Sequence, residues 1–272
     1  MTFTAARMTT PLLSPADLDA LARARALLER PSLTARLSSL VGSPLEKGMA
    51  HLPASWRGKV GAIAHDALLK AMDTAAKTLK PEARDASPRL HKLLGSVSGG
   101  AGGAFGLAGL AVEIPVSTVL IMRAILDIAR AEGRTSAAHG RGWPRWKCSR
   151  SVAAAAGDDA AESGYYAVRA ALATTVGEAA RHLAEKGLTS EGAPALVRLI
   201  TLVAARYKVQ LTQKAAGMLV PGIGAAAGAG INLMFMNHFQ DVSRGHFTVR
   251  RLERRYGAEA VQAAWQALEA AR

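Results

Sequence analysis

The sequence predicts an all-α protein, and three observations carry that expectation. Half of the 272 residues are hydrophobic but only 5% are aromatic, so Ala and Gly supply much of the apolar content. Ala is the strongest helix former, and apolar residues recur at helical spacing over several long stretches. No Val, Ile and Thr alternation marks a strand. The expectation is one multi-helix domain with two Gly/Ala-rich apolar helical hairpins, and the chain is long enough for one substantial core.

Taken in order, residues 1–13 read as a tail. Ser14-Pro15 then starts a helix, with Ser as N-cap and Pro in the first turn. It runs through "ADLDALARARALLER", with Leu18, Leu21, Ala22, Arg25 and Leu28 on one face, and stops at Pro31. Residues 14–40 form this N-terminal region. Short helices and turns follow around Pro44 and Pro53. From Trp56 to Leu79 a longer helix is marked by Val60, Ile63, Ala64, Ala67, Leu68, Ala71, Met72 and Ala75. Pro81 to Pro88 is a charged linker.

Between Leu93 and Met122 the only charged side chain is Glu113. Two helices are expected here, meeting at Ile114-Pro115, because a residue before Pro avoids helix and Pro suits a first turn. A further helix runs from Asp158 or Asp159 to Gly187, led by acids and ended by Gly. One or two more precede Pro221. "IGAAAGAGINLMFMNHFQDVSRGHFTVRRLERRYG" continues to Gly257, and a short helix closes the chain over 258–272.

The glycine stretches admit three readings. Gly222-x-Gly224-x-x-Ala227 fits a dinucleotide fingerprint, with Asp241 where a ribose-binding acid would fall. Pro221 and the lack of a leading strand speak against it. The second reading is close helix packing: Gly99 and Gly103, Gly102 and Gly106, and Gly224 and Gly228 are each one helical turn apart, which strips a face of side chains. Each Gly costs about 1 kcal/mol relative to Ala in a helix, so packing or an apolar setting has to compensate. The third reading is a membrane span, since Leu93–Val112 and Ala215–Asn237 are uncharged and long enough. Gly and Ala gain little on transfer into hydrocarbon, which favours a buried or membrane-surface hairpin, with Pro115 and Pro221 setting the bends.

A net charge of +13 would suggest nucleic acid or an anionic membrane. No nucleic-acid-reading module is recognisable, so nucleic acid is not an expected partner. Residues 133–157 hold five basic side chains and no acid. Arg250 with Arg254, and Arg251 with Arg255, stack at i,i+4 beside Phe247, Leu252 and Tyr256, a basic amphipathic end suited to anionic lipid. The single cysteine, Cys148, forms no internal disulfide, and no signal-peptide pattern leads the chain, so a cytoplasmic protein is expected.

Catalytic chemistry is not readable. Glu113 would be a functional carboxylate in a membrane, but its ordinary reading is a surface residue near a helix start. Asp158, Asp159 and Glu162 match a capping pattern. His238 and Asp241 share a face without further ligands, and the adjacent His65 and Asp66 point apart. No enzyme, metal or cofactor is therefore expected, and any small-molecule substrate is unknown.

"GGAFGLAGLAVEIPVSTVLIMRAILDIARAEG", "DDAAESGYYAVRAALA" and "VPGIGAAAGAGINLMFMNHFQDVSRGHFTVRRLERRYG" resemble the EcsC family of bacterial proteins, over roughly Val41 to Gly257. The expected domain is accordingly 41–257. The resemblance implies a helical, membrane-associated accessory protein at the inner face of the plasma membrane, with a lipid or membrane-protein partner. An ABC-transporter association follows from the founding member's gene cluster. The family supplies no catalytic residues.

After "IARAEG" the sequence departs from the family pattern, in which an acidic and then apolar helical segment ends in "LEVFALGG". Codons for Trp146 to Ala153, read one base earlier, permit that ending. Two opposite frameshifts, near Gly133 and Gly157, are therefore expected, and the gene's codons would test this. They would leave Trp143, Trp146 and Cys148 without a native role.

Overall fold

The computed structural model describes residues 13–31, 33, 35–36, 62–63, 66–68, 70–71, 74, 87–134, 164–186, 211–212, 214 and 224–270. Of these, 93% are helical and none is in a strand, so the all-α expectation holds. The described residues include six long helices: α1 (Pro15–Leu28), α2 (Pro88–Ala104), α3 (Gly106–Ala129), α4 (Tyr165–Lys186), α5 (Gly224–Tyr256) and α6 (Ala258–Ala270). A π-turn over Arg130–Arg134 continues α3. The expectations for residues 1–12, His65, Asp158, Asp159, Glu162, Pro221 and Gly222 lie outside the described residues. So does the frameshift expectation, apart from residues 133 and 134 at its edge.

α1 starts as its sequence predicts. Ser14 is the N-cap, Pro15 lies in the first turn, and the Ser14 hydroxyl accepts the Asp17 amide at 3.2 Å. The described residues between 62 and 74 are helical, with Ala67, Leu68 and Ala71 buried.

α5 is the spine. Its 33 residues reach about 50 Å at the rise of an α-helix. α2 packs most extensively against it, α3 touches both, and α1 and α6 pack on α5 and on each other. Leu21, Ala24 and Leu28 of α1, Val242, Val249 and Leu252 of α5, and Val261 and Trp265 of α6 share one core.

The first glycine-rich stretch bends where the sequence reading did not place it. Leu93–Val112 is not one helix: α2 ends at Ala104, and the chain turns at Phe105 and Gly106. Gly106 has φ +58°, a left-handed backbone that a side chain disfavours and glycine accepts freely. Pro115 sits inside α3 and sets no break. It deprives the helix of one backbone bond, at a typical cost of about 3 kcal/mol. Packing outweighs that local preference, because Ile114 is fully buried. Around the proline, the Thr118 and Ser117 hydroxyls donate to the Ile114 carbonyl at 2.7 and 3.2 Å.

An ionic staple fixes the base of the α2–α3 hairpin. Asp127, near the end of α3, accepts the Ser87 amide at 2.7 Å, directly before α2. It also lies 3.4 Å from His91 Nε2 and pairs with Arg130. Burial opposes the Asp127 charge, but the His91 and Ser87 hydrogen bonds and Arg130 hold its carboxyl below the usual carboxylate value.

Candidate functional site

Backbone meets backbone where α2 crosses α5. A Cβ on Gly228 would fall 2.1 Å from the Gly99 carbonyl oxygen and 3.1 Å from Gly103 Cα. A Cβ on Gly99 would fall 2.3 Å from the Gly228 carbonyl. Both are closer than any side chain tolerates, so these positions accept only glycine. Gly224 starts α5 one turn before Gly228, so the described part of the dinucleotide-like pattern, Gly224 to Ala227, is helix.

Within the hairpin, Gly102 makes room for a different neighbour. Its Cβ would fall 2.5 Å from Glu113 Cγ, and one on Gly109 would fall 2.2 Å from the Gly102 carbonyl. Gly106 meets nothing: its role is the turn.

Glu113 is a correction to the surface reading. Only 3% of it is exposed, because α3 continues through Pro115 and turns it toward α2 and α5. Lys214, 1% exposed, places Nζ 2.8 Å from one carboxylate oxygen and 2.6 Å from the other. Asn232 of α5 donates to Glu113 at 2.6 Å and to the Gly95 carbonyl of α2 at 2.9 Å. Lys214 also lies 3.5 Å from the Ser117 hydroxyl and 5.5 Å from the Phe235 ring. Three stretches distant in sequence thus meet at one buried charge pair. Burial pushes the Lys214 ammonium below the usual lysine value, and Glu113 opposes the shift. Sequence reading missed Lys214 and Asn232. The available signal was a lone polar residue on an apolar face: Lys214 follows the buried Leu211 by one turn, and Asn232 sits in "GINLMFM".

The outer face of the same hairpin is apolar and open. A groove of about 710 Å³ runs between α2 and α3, lined mainly by Leu94, Val97, Phe105, Val112, Val116 and Leu120, with Gly102 and Glu113 also contributing. Phe105 at the turn is 76% exposed and Val112 is 70% exposed. Sequence periodicity marked these residues as apolar without showing which would lack a covering helix.

The four arginines at the C-terminal end of α5 are engaged within the protein. Arg250 pairs with Glu253, and Arg251 with Glu132 at 3.0 Å and Asp17 at 3.5 Å. Arg254 donates to the Glu132 carbonyl at 3.0 Å, and Arg255 pairs with Asp17 at 3.0 Å. The expected basic face is largely an internal clamp binding α1 and the π-turn to α5. A tyrosine bond and the arginines hold the Asp17 carboxyl below the usual value. Glu253 also receives both Arg169 nitrogens, at 2.7 and 3.2 Å. Arg169 lies over the Tyr165 and Tyr166 rings, and burial pushes the Tyr166 hydroxyl up to about 12. Asp241 is occupied by Arg30 at 2.5 Å. Among the described residues no cluster of three potential metal ligands exists, and His238 and Asp241 do not form one.

The sequence pattern defining the EcsC protein family matches residues 50–252. The chain belongs to the EcsC protein family. Neither a search of curated proteins nor one of solved structures returned a match. The EcsC match contains α2, α3, α4 and all but the last four residues of α5, so it includes the glycine crossing, the Glu113–Lys214 pair and the groove. α1, α6, Arg254 and Arg255 lie outside it.

Proposed function

We propose that this EcsC protein is a non-enzymatic, membrane-associated accessory protein that attaches to the cytoplasmic face of a bacterial plasma membrane through its α2–α3 hairpin. One observation carries the reading: Leu90, Leu93, Val97, Phe105 and Val112 stand exposed together on that hairpin. Large contiguous apolar surface in water is unfavourable and marks a docking face. A lipid partner suits it because the exposed turn at Phe105 leads directly into the most apolar helix described. Ala108–Glu132 is long enough to cross a bilayer and its most apolar 18-residue stretch has a mean hydropathy of 1.8, although 56% of that stretch is buried within the protein. Peripheral attachment uses the open face and leaves the buried face packed. Arg254 and Arg255, both exposed, add attraction to anionic headgroups. Action beside an ABC transporter belongs to the same proposal.

The test is co-sedimentation of the purified chain with anionic and zwitterionic vesicles in low and high salt. Binding is expected to survive high salt, because apolar contact dominates, and to be lost in the double variant Leu93→Ser, Phe105→Ser. A protein that stays in the supernatant under every condition overturns the proposal. The second reading is a soluble all-α interaction or apolar-ligand module, with the hairpins as its core. The buried Gly99–Gly228 crossing favours it, and a folded, monodisperse chain indifferent to vesicles would select it.

A further inference from the structure

The groove has a polar end that its lining does not include. On α3, Ala108, Val112, Val116 and Leu120 line it at intervals of four residues. At 100° per residue, Arg123 falls on the same stripe, one turn beyond Leu120. Arg123 is half-buried, and among the described residues no acid pairs with it. That contrasts with the arginines of α5, which all find partners. The apolar run from Ala108 to Leu120 covers about 18 Å at the helical rise. The groove volume also falls within the usual range for small-molecule sites.

We propose that the α2–α3 groove binds a single long-chain fatty acid, with its carboxylate at Arg123 and its hydrocarbon tail running toward Phe105. Charge complementarity sets this orientation. Partway along, opposite Gly102, Glu113 lies on the groove floor, its charge already matched by Lys214 and one of its oxygens taken by Asn232. A second carboxylate there would meet a like charge with no free donor, whereas Arg123 offers an unused guanidinium. Apart from Glu113 and Ser98 the lining is hydrocarbon, so the tail is recognised by burial. The inference rests on the same apolar hairpin as the proposed attachment, but it concerns one bound molecule rather than a bilayer.

Equilibrium dialysis of palmitate against the full chain tests it. One saturable site per chain is expected. Ala101→Trp, at an exposed position on the groove wall, is expected to abolish binding by filling the groove. Arg123→Gln is expected to weaken palmitate about tenfold or more, the loss of a charge-assisted bond, while Arg123→Lys retains most of the affinity. Hexadecanol, which lacks the charge, is expected to bind wild type and Arg123→Gln equally. Thermal melts confirm that each variant is folded. No saturable binding, or binding that Ala101→Trp leaves intact, overturns the site; palmitate binding unchanged by Arg123→Gln overturns the assigned head position. Palmitate binding without vesicle attachment removes only the proposed membrane role, and vesicle attachment without palmitate binding removes only this inference.

Discussion

The two halves of α5 pack by opposite means. Its first half, around Gly228 and Asn232, meets α2 through bare backbone and the Asn232 hydrogen bond to the Gly95 carbonyl, beside the buried Glu113–Lys214 pair. Its second half meets α1 and α6 through large side chains, with Val249 and Leu252 fully buried and Trp265 beside them. Arginines around Asp17, Glu132 and Glu253 then close the rim. The difference teaches what each contact cannot tolerate. A glycine crossing is ruined by adding atoms, and a side-chain core is weakened by removing them. The second half has one site of the first kind, at Gly245, where a Cβ would lie 2.6 Å from Leu28 Cγ. There the neighbour is chiefly the side chain of α1, and not another glycine backbone.

The sharpest way to break the comparison is Gly228→Leu. It should cost more than about 4 kcal/mol, enough to prevent folding, because α2 and α5 have to separate. Gly228→Ala should also destabilise in urea titration, although Ala is the better helix former by about 1 kcal/mol. A neutral or stabilising Gly228→Ala would mean that the crossing is looser than described.

Next in size is the charge pair. Lys214→Met should cost about 3–5 kcal/mol by leaving Glu113 buried without a counter-charge. Adding Glu113→Gln should recover much of that loss, as a double-mutant cycle would measure. In the second half, Leu252→Ala should cost about 2–5 kcal/mol through the cavity it leaves.

Asp127 sharpens the comparison at the hairpin base through pH. Its folded pKa is lowered, so its contribution to stability is present above the ordinary value of 3.8 and is lost as pH falls through the folded value. Asp127→Asn should be less stable than wild type at neutral pH by about 1–3 kcal/mol, with the gap closing in acid. Smallest of all is Arg255→Gln. Its side chain is 64% exposed, so its pair with Asp17 should contribute less than about 1 kcal/mol, and less still in high salt.

Several particulars were legible in the chain. Ser14-Pro15 specified the start of α1, because capping is a matter of a few neighbouring atoms. The helical class followed from periodicity and Ala content, and the family resemblance from three quoted stretches that fall largely within residues 50–252. Pro115 misled because its local preference was outweighed by burial of Ile114, while Gly106 took the turn instead. Glu113 was singled out for its isolation, but its partner lies 101 residues away and no spacing rule links them.

The sequence by itself determined the helical class, the small-residue faces and the isolated charge, since each depends on composition or on neighbours within a turn or two. Only the tertiary structure decided which glycines meet, that Glu113 pairs with Lys214, that the α5 arginines turn to partners within the protein, and which apolar face is left uncovered. Those outcomes depend on which distant surfaces share the same space. Many pairings satisfy the same local pattern, and packing without overlap or an unpaired buried charge selects among them.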